Sequence, residues 1–467
     1  MTLSCTSHNP SPLQSKKPLT RAITTQSSDQ LTRATTATMP ASAPSSEGPS
    51  PHDLNCLTIK ELEALAYERM DKQTRDYYNE GADSGSTLAA NLSAYQKYRI
   101  RPRVLRDISK IDTTTSVFGQ TNAAPIGVAP TAMQRLAHSD GEIATARACR
   151  ASGIVMGLSS FSTSTLEDVA EANGPNPHAL QLYLFEEREH SRKLINRAKK
   201  AGYKAVLLTV DTPMLGRRNL EIRNQFKLPS HLSIPNFAEQ GEDTDSAVSN
   251  TDANTASVER KPTSKPSAKT KANTKERRAS TAGRLDADSK KRVLPSGPIT
   301  FHTHAANPTL SWEESIPWLK KVCAPMEVWV KGIATSEDAL LAVHHGVDGI
   351  IVSNHGGRQL NGALATLDAL PEVVAAVQKK VPLHVDGGIR HGTDIFKALA
   401  LGADFCWVGR PVLWGLAYKG EQGVELCLKL LLDEFRLCMG LAGVTCVKDI
   451  TKEFLCRIDR DGFASRL

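Results

Sequence analysis

The chain has 467 residues, 40% of them hydrophobic, so we expect a sizeable core. It contains no apolar run of about 20 residues, so we expect an intracellular protein without a membrane span. Its net charge of +7 comes mostly from two segments, since residues 1–50 carry four basic and two acidic side chains and residues 240–292 carry twelve and eight. The remaining body is nearly neutral, which argues against a basic nucleic-acid-binding face.

Residues 1–53 are predicted to form a disordered tail. They are rich in Ser, Thr, Pro and Ala and contain no Phe, Trp or Tyr, so they cannot bury enough apolar surface to offset the entropy lost on ordering. A mitochondrial presequence is an alternative, because no acidic residue precedes Asp29 while Lys16, Lys17 and Arg21 do. Against that alternative, the basic and apolar residues form no clear amphipathic helix.

A helical segment is predicted to follow the tail. Thr58 is suited to cap a helix, with Glu61 three residues later and Leu62 and Leu65 at helical spacing. Tyr77 lies in the next stretch, and on sequence alone a packing role is the simpler interpretation.

Beyond residue 103 the chain alternates between short apolar runs and amphipathic stretches. The runs are Ile126–Ala129, Ile154–Leu158, Leu180–Leu184, Ala205–Val210, Val328–Lys331, Gly349–Val352, Leu383–Val385 and Cys406–Val408. Eight strands alternating with helices predict an α/β protein with a (β/α)8 TIM barrel, and a doubly wound open sheet is the weaker alternative.

One segment interrupts the alternation after the fourth strand. Residues 240–293 are rich in Ser, Thr, Lys and Asp and contain no aromatic residue, so we predict a long, disordered, low-complexity insert at this point. The predicted domain therefore spans residues 54–467, with the insert inside it.

Polar residues follow every predicted strand, and in a barrel such residues converge on one face. The octet Ser353–Leu360 is the most informative of these strand ends. His355 is the side chain in it that can exchange a proton near neutral pH, and Arg358 offers a planar fork suited to a carboxylate. Together they predict a base beside an anion-binding group.

The strand ends also predict a site for a phosphorylated ligand. Glycines and arginines follow the seventh and eighth strands, where backbone N–H groups and guanidinium groups can hold a phosphate. Around a flat polar ring of that ligand we place Ser159, Gln181, Thr209, Lys331 and Ser353. No metal site is expected, because the nine cysteines form no CxxC pair.

In this order, the motifs PTAM, LSS, QLY, TVDTP, LGRR, VKG, SNHGGRQL, DGGIRHGTD and GRP resemble those of the FMN-dependent (S)-2-hydroxy-acid oxidases and dehydrogenases, typified by glycolate oxidase. The resemblance covers roughly residues 57–467 apart from the insert. It implies FMN as cofactor and a small 2-hydroxy acid as substrate.

The resemblance assigns a role to each matching position. His355 is the expected proton-accepting base, Asp211 orients it, Arg218 and Arg358 bind the substrate carboxylate, and Tyr77 and Tyr183 donate hydrogen bonds to the substrate. Lys331 is expected beside flavin N1. The FMN-binding positions are Pro130, Thr131, Ala132, Ser159, Gln181, Thr209, Lys331, Ser353, Asp386, Gly387, Gly388, Ile389, Arg390, Gly409 and Arg410.

The expected reaction is oxidation of a small (S)-2-hydroxy acid to the 2-oxo acid, with O2 reduced to H2O2. The alternative is a lactate-type dehydrogenase that passes electrons to a quinone or cytochrome; an FMN-barrel isomerase and a non-enzymatic flavin-binding protein are weaker ones. Phe161 stands where glycolate-type members often have Trp, which favours a substrate other than glycolate. Relatives also imply a homotetramer or larger assembly.

The sequence ends in Ser465-Arg466-Leu467, a variant of the peroxisomal SKL signal. Peroxisomes contain catalase, which removes H2O2, so this location suits an oxidase. A cytoplasmic or mitochondrial location is the alternative.

Overall fold

The structure is a computed structural model, which describes residues 53–237, 307–459 and 461–467. The predicted tail lies outside these residues except for Asp53, and so does the whole predicted insert at 240–293. Their predicted disorder and the domain boundaries based on it therefore remain predictions.

Eight parallel strands form a closed barrel at the centre of the molecule. They are β4 Ile126–Val128, β5 Val155–Leu158, β6 His178–Leu182, β7 Ala205–Thr209, β8 Glu327–Ile333, β9 Gly349–Val352, β10 Leu383–Asp386 and β11 Phe405–Val408. Each strand pairs with the next along the chain, and β11 pairs with β4 to close the ring. The predicted (β/α)8 barrel is confirmed.

Helices surround the barrel and precede it. They are α1 Ile59–Arg69, α2 Lys72–Asn79, α3 Ser86–Ser93, α4 Gly141–Ser152, α5 Leu166–Asn173, α6 Arg188–Lys200, α7 Asn219–Arg223, α8 Trp312–Cys323, α9 Ser336–His344, α10 Thr366–Val377, α11 Gly392–Ala400 and α12 Arg410–Ala442. The first three form the predicted N-terminal helical segment, and the hydroxyl of Thr58 accepts the backbone N–H of Glu61 at 3.1 Å as its spacing predicted. None of the helices in the described part is long and apolar enough to span a membrane.

Short antiparallel strands complete the structure. Strands β2 Thr115–Val117 and β3 Gln120–Asn122 form a hairpin, and β1 Tyr98–Ile100 pairs with β12 Leu455–Ile458, which pairs in turn with β13 Ala464–Arg466. The sequence does not predict these strands, because runs of three or four residues show too little alternation to be recognised.

The barrel strands appear in the sequence as continuous apolar runs because parallel strands packed inside a ring of helices are buried on both faces. All residues of β6 and β7, for example, are buried. The third run was predicted two residues late, as Leu180–Leu184 instead of His178–Leu182. His178 is polar but buried, and its ring packs edge-on against Tyr203 with centroids 4.2 Å apart, so burial at that position had no apolar signal.

A cluster of aromatic side chains, the barrel floor, fills the amino-terminal half of the barrel. It consists of Phe118 from the β2–β3 turn together with Trp329, His384, Phe405 and Trp407. Trp407 donates its indole N–H to Nδ1 of His384 at 3.1 Å, and burial lowers the pKa of His384 to about 3. The imidazole of His384 is therefore a neutral core group. In barrels of this kind, functional groups lie at the other end, where the carboxyl ends of the strands meet.

Candidate active site

One cavity opens at the carboxyl ends of the barrel strands, and most of the predicted site residues line it. They are Tyr77, Pro130, Thr131, Ala132, Ser159, Gln181, Tyr183, Thr209, Arg218, Lys331, His355, Arg358, Asp386, Gly387, Gly388, Ile389, Arg390, Gly409 and Arg410. Asp211 and Ser353 do not line the cavity but contact residues that do. Residues within or directly after all eight strands thus contribute to a single site.

His355 and Asp211 form a hydrogen-bonded pair at the end of β9. Nδ1 of His355 lies 2.8 Å from Oδ1 of Asp211, which leaves Nε2 as the ring nitrogen available to a ligand. His355 has a φ of +58°, a conformation that is uncommon for a side chain other than Gly. Its backbone N–H donates to Oγ of Ser353 at 3.1 Å, which holds this turn in place.

The surroundings of the pair favour a neutral imidazole beside a charged carboxylate. Burial, Lys331 and Arg358 lower the pKa of His355, and Asp211, which raises it, does not offset them. For Asp211, burial raises the pKa, but His355 and Lys331 together outweigh burial and lower it overall. His355 can therefore accept a proton, and Asp211 can stabilise the imidazolium that results.

Gly332 leaves the space that Asp211 occupies. A Cβ at this position would lie 2.7 Å from Cβ of Asp211, and the residue has a φ of +114°. Only glycine meets both conditions without strain. The bulge in β8 that contains Gly332 thus brings the strand close to the His355–Asp211 pair.

Two arginines on different loops lie at the same side of the cavity. Arg218 precedes α7 and is 6% exposed, and Arg358 follows the turn of His355. Both contact the carboxylate of Glu221, at 3.3 Å and 3.0 Å respectively. Arg358 also donates to the backbone oxygens of Tyr77 and Glu80, so it is fixed to the end of α2.

Two tyrosines line the cavity next to these arginines. The ring of Tyr77 stacks on Phe226 with centroids 4.5 Å apart, and the guanidinium of Arg358 lies 5.2 Å from the centre of the Tyr77 ring. Burial raises the pKa of both Tyr77 and Tyr183, so both phenols stay protonated and can act as hydrogen-bond donors. Packing and site roles therefore coexist at Tyr77.

A buried polar network at the wall of the cavity joins β8, the residue after β9, and β10. Nζ of Lys331 donates to Oγ of Ser353 at 2.9 Å, and Ser353 donates to Oδ2 of Asp386 at 2.9 Å. Burial opposes the charge of Lys331, but Asp386 and Asp211 outweigh burial and raise its pKa. Oδ1 of Asp386 is buried and has no hydrogen-bond partner among the described residues, so it can accept a hydrogen bond from a ligand hydroxyl.

The loops after β10 and β11 form a cationic cradle. Gly388 has a φ of +83°, and a Cβ there would lie 2.0 Å from the backbone oxygen of Asn91, so a side chain is excluded. Burial, with Arg358 and Arg390 nearby, lowers the pKa of Arg410 to about 9. Neither Arg390 nor Arg410 forms an ion pair with an acidic side chain within the described ranges, and a bound phosphate would supply the missing charge.

These features fit FMN. The cradle suits its phosphate, the free oxygen of Asp386 suits a ribityl hydroxyl, and Lys331 suits the flavin end that gains negative charge on reduction. In the described part of the chain, no three His, Cys, Asp or Glu side chains are grouped as a metal site.

Two glutamates that hold the loops and arginines around the cavity in place were not predicted from the sequence. Glu142 is fully buried and accepts hydrogen bonds from Gln134 N at 2.9 Å and Thr163 N at 2.9 Å, so it joins the loops after β4 and β5. Glu221 joins the two arginines. Both lie inside helices, where a glutamate resembles any solvent-facing residue, and no spacing signal distinguishes them.

The comparisons with known proteins agree with this site. The model of the family described as FMN-dependent dehydrogenase matches residues 66–457. Oxidase FUB9 of Fusarium oxysporum f. sp. lycopersici is 43% identical over 87% of this chain and 92% of its own length. 2-Hydroxyacid oxidase 1 of Mus musculus is 44% identical over 84% and 95%, and glycolate oxidase of Spinacia oleracea is 42% identical over 87% and 97%.

Solved structures give the same result. Mandelate oxidase superposes with a TM-score of 0.69 at 34% identity, covering 84% of this chain and 96% of the other. Its complex with (S)-4-hydroxymandelic acid superposes with a TM-score of 0.69 at 35% identity, covering 84% and 97%.

Proposed function

The chain belongs to the FMN-dependent dehydrogenase family. From this premise we propose that it oxidises a small (S)-2-hydroxy acid to the 2-oxo acid with O2 as electron acceptor. The observation that carries the proposal is the His355–Asp211 pair, whose His355 lines one cavity together with Arg218 and Arg358. A base beside two carboxylate-binding groups is the arrangement that this reaction needs.

Each side chain has a defined part in the proposed reaction. Arg218 and Arg358 bind the substrate carboxylate, and Tyr77 and Tyr183 donate hydrogen bonds to the substrate. Nε2 of His355 accepts a proton from the substrate, and Asp211 stabilises the resulting positive charge. Bound FMN would supply the two-electron acceptor, and with O2 as the final acceptor one H2O2 would form for each 2-oxo acid.

We propose that the substrate carries a side chain larger than that of glycolate. Phe161 lines the cavity with Tyr183, their ring centroids 5.6 Å apart, and Leu215 lines it as well. An apolar wall of this kind favours an aliphatic or aromatic substituent on the 2-hydroxy acid, since burial of each CH2 group contributes about 0.8 kcal/mol.

Anaerobic titration of the purified yellow protein with a panel of (S)-2-hydroxy acids tests the proposal. Loss of flavin absorbance with one class of acid, followed by rapid recovery and peroxide formation in air, is the expected result. Loss of absorbance that persists in air would instead favour a dehydrogenase that uses a quinone or cytochrome. No loss of absorbance with any acid would refute hydroxy-acid oxidation by this chain.

For location we propose the peroxisome, supported by the terminal Ser465-Arg466-Leu467. Ser465 and Arg466 are exposed but pair with Arg457 and Cys456 in the sheet of β12 and β13. A receptor that binds the tripeptide must separate this edge strand first. Deleting the three residues from a fluorescent fusion should change its distribution from punctate to diffuse.

For assembly we propose a homotetramer or larger, and light scattering after gel filtration would measure the mass of the assembly.

A further inference from the structure

Glu221 is a buried carboxylate that contacts both arginines of the proposed substrate-binding pair. The same oxygen, Oε1, lies 3.3 Å from Nη1 of Arg218 and 3.0 Å from Nη2 of Arg358. The Glu221 side chain is 12% exposed and does not line the cavity, so it contacts the guanidinium groups from outside the substrate cavity.

The backbone fixes the position of Glu221 independently of the arginines. Glu221 lies in α7, three residues after Arg218 and therefore on the same helical face. The carboxylate of Glu80 accepts the backbone N–H of Leu220 at 2.7 Å and that of Glu221 at 3.2 Å. Because Glu80 follows α2 directly, the first turn of α7 is held against the end of α2.

The charges at this place are unbalanced without a ligand. Arg218 and Arg358 carry two positive charges, and burial together with Arg358 lowers the pKa of Arg218. Glu221 is the acidic side chain that pairs with them, and within the described residues neither arginine pairs with a second one. The group of three therefore carries one net positive charge, which a single carboxylate of a ligand neutralises.

We propose that Glu221 sets the net charge of the arginine pair and so limits how tightly the site holds a carboxylate. This inference rests on the proposed function, in which Arg218 and Arg358 bind the carboxylate of the 2-hydroxy acid. The 2-oxo acid product carries the same carboxylate as the substrate. An arginine pair without Glu221 holds both more tightly, which slows product release.

The test compares Glu221→Gln with Glu221→Asp in the FMN-loaded enzyme. Acetate is the probe, because it presents a carboxylate without the chemistry of a hydroxy acid, and flavin absorbance differences report its binding. Removing the charge in Glu221→Gln should tighten acetate binding about tenfold, equivalent to about 1.4 kcal/mol. Glu221→Asp keeps the charge and should bind acetate within about threefold of the unmodified enzyme.

Turnover should respond in the same sense. In Glu221→Gln we expect a lower KM for the 2-hydroxy acid together with a lower kcat, because product release becomes slow. Glu167→Gln is the matched control, since Glu167 pairs with Arg197 at 2.7 Å and does not line the cavity. It removes one negative charge elsewhere and should leave acetate affinity unchanged.

Unchanged or weaker acetate binding in Glu221→Gln would overturn the proposal and leave Glu221 a structural role. If Glu221→Gln fails to fold, Glu221→Asp provides the test. A tenfold weaker acetate affinity in Glu221→Asp would overturn the proposal, because it would show that the geometry of Glu221 matters and not its charge. Failure of the proposed function has a different signature: no 2-hydroxy acid would reduce the flavin of the unmodified enzyme, while the acetate comparison would still give a result.

Discussion

Replacing Asp211 with Asn tests the central pair of the site. The substitution keeps the size of the side chain and a hydrogen-bond acceptor for Thr212, which lies 2.9 Å from Oδ1, but removes the charge beside His355. When His355 takes a proton, the new positive charge lies near Lys331 and Arg358, and both oppose it. Asp211 is the group that compensates this charge.

The size of the effect follows from the burial of the pair. Removing one partner from a buried ion pair costs about 3–5 kcal/mol, and because His355 is 27% exposed we take the lower limit of about 3 kcal/mol. At about 1.4 kcal/mol per tenfold, flavin reduction should slow by about 150-fold. Anaerobic stopped-flow absorbance with saturating substrate measures this rate directly.

Controls separate chemistry from folding. Asp211→Asn should retain FMN, since Asp211 does not line the cavity. Asp404→Asn is the matched control: the Asp404 carboxylate accepts the backbone N–H of Leu383 at 2.8 Å, at the amino end of the barrel strands, and its loss should leave flavin reduction unchanged. A reduction rate in Asp211→Asn within fivefold of the unmodified enzyme would refute the role assigned to Asp211.

The same variant has a signature in the pH profile. His355 must be neutral to accept a proton, so activity rises with pH through its pKa and is lost below it. Burial and Lys331 lower that pKa, so the acidic limb of kcat/KM should fall below about 6.5. Asp211 raises the pKa, so Asp211→Asn should move the limb to still lower pH; a shift to higher pH would contradict the interpretation.

Three further substitutions test other parts of the site. Glu142→Ala leaves the buried backbone N–H groups of Gln134 and Thr163 without an acceptor, so the free energy of unfolding should fall by about 3 kcal/mol. Urea titration measures this change, and a loss below about 1 kcal/mol would contradict the role assigned to Glu142. Gly388→Ala places a Cβ 2.0 Å from a backbone oxygen and should abolish FMN retention, seen as loss of the yellow colour on gel filtration. Phe161→Trp fills the apolar wall and should shift kcat/KM towards smaller 2-hydroxy acids, whereas an unchanged order of substrates would argue against that wall.

The sequence predicted the barrel because its strands are buried on both faces and therefore appear as apolar runs. It also located most of the cavity, since the carboxyl ends of parallel strands must meet. The position of Asp211, two residues after β7, is what made its contact with His355 predictable. The two residues are 144 positions apart in the chain, and the closed barrel brings them together.

Contacts made by helices were not predictable in this way. Glu221 and Glu142 acquire their roles from the loops that pack against α7 and α4, and no periodicity in the sequence encodes those contacts. The small sheet of β1, β12 and β13 joins residues more than 350 positions apart, and each strand is too short to show alternation.

Among the described residues, the barrel floor closes the amino-terminal end of the barrel, on the side away from the cavity. Trp407 both belongs to the floor and lines the cavity, and the floor residues Trp329 and Phe405 are at most 2% exposed. In the proposed reaction, the substrate therefore enters the cavity and the product leaves it at the carboxyl ends of the strands. A product that filled this cavity would separate the FMN site from solvent, so the size of the product would decide whether O2 could reach FMN before the product leaves.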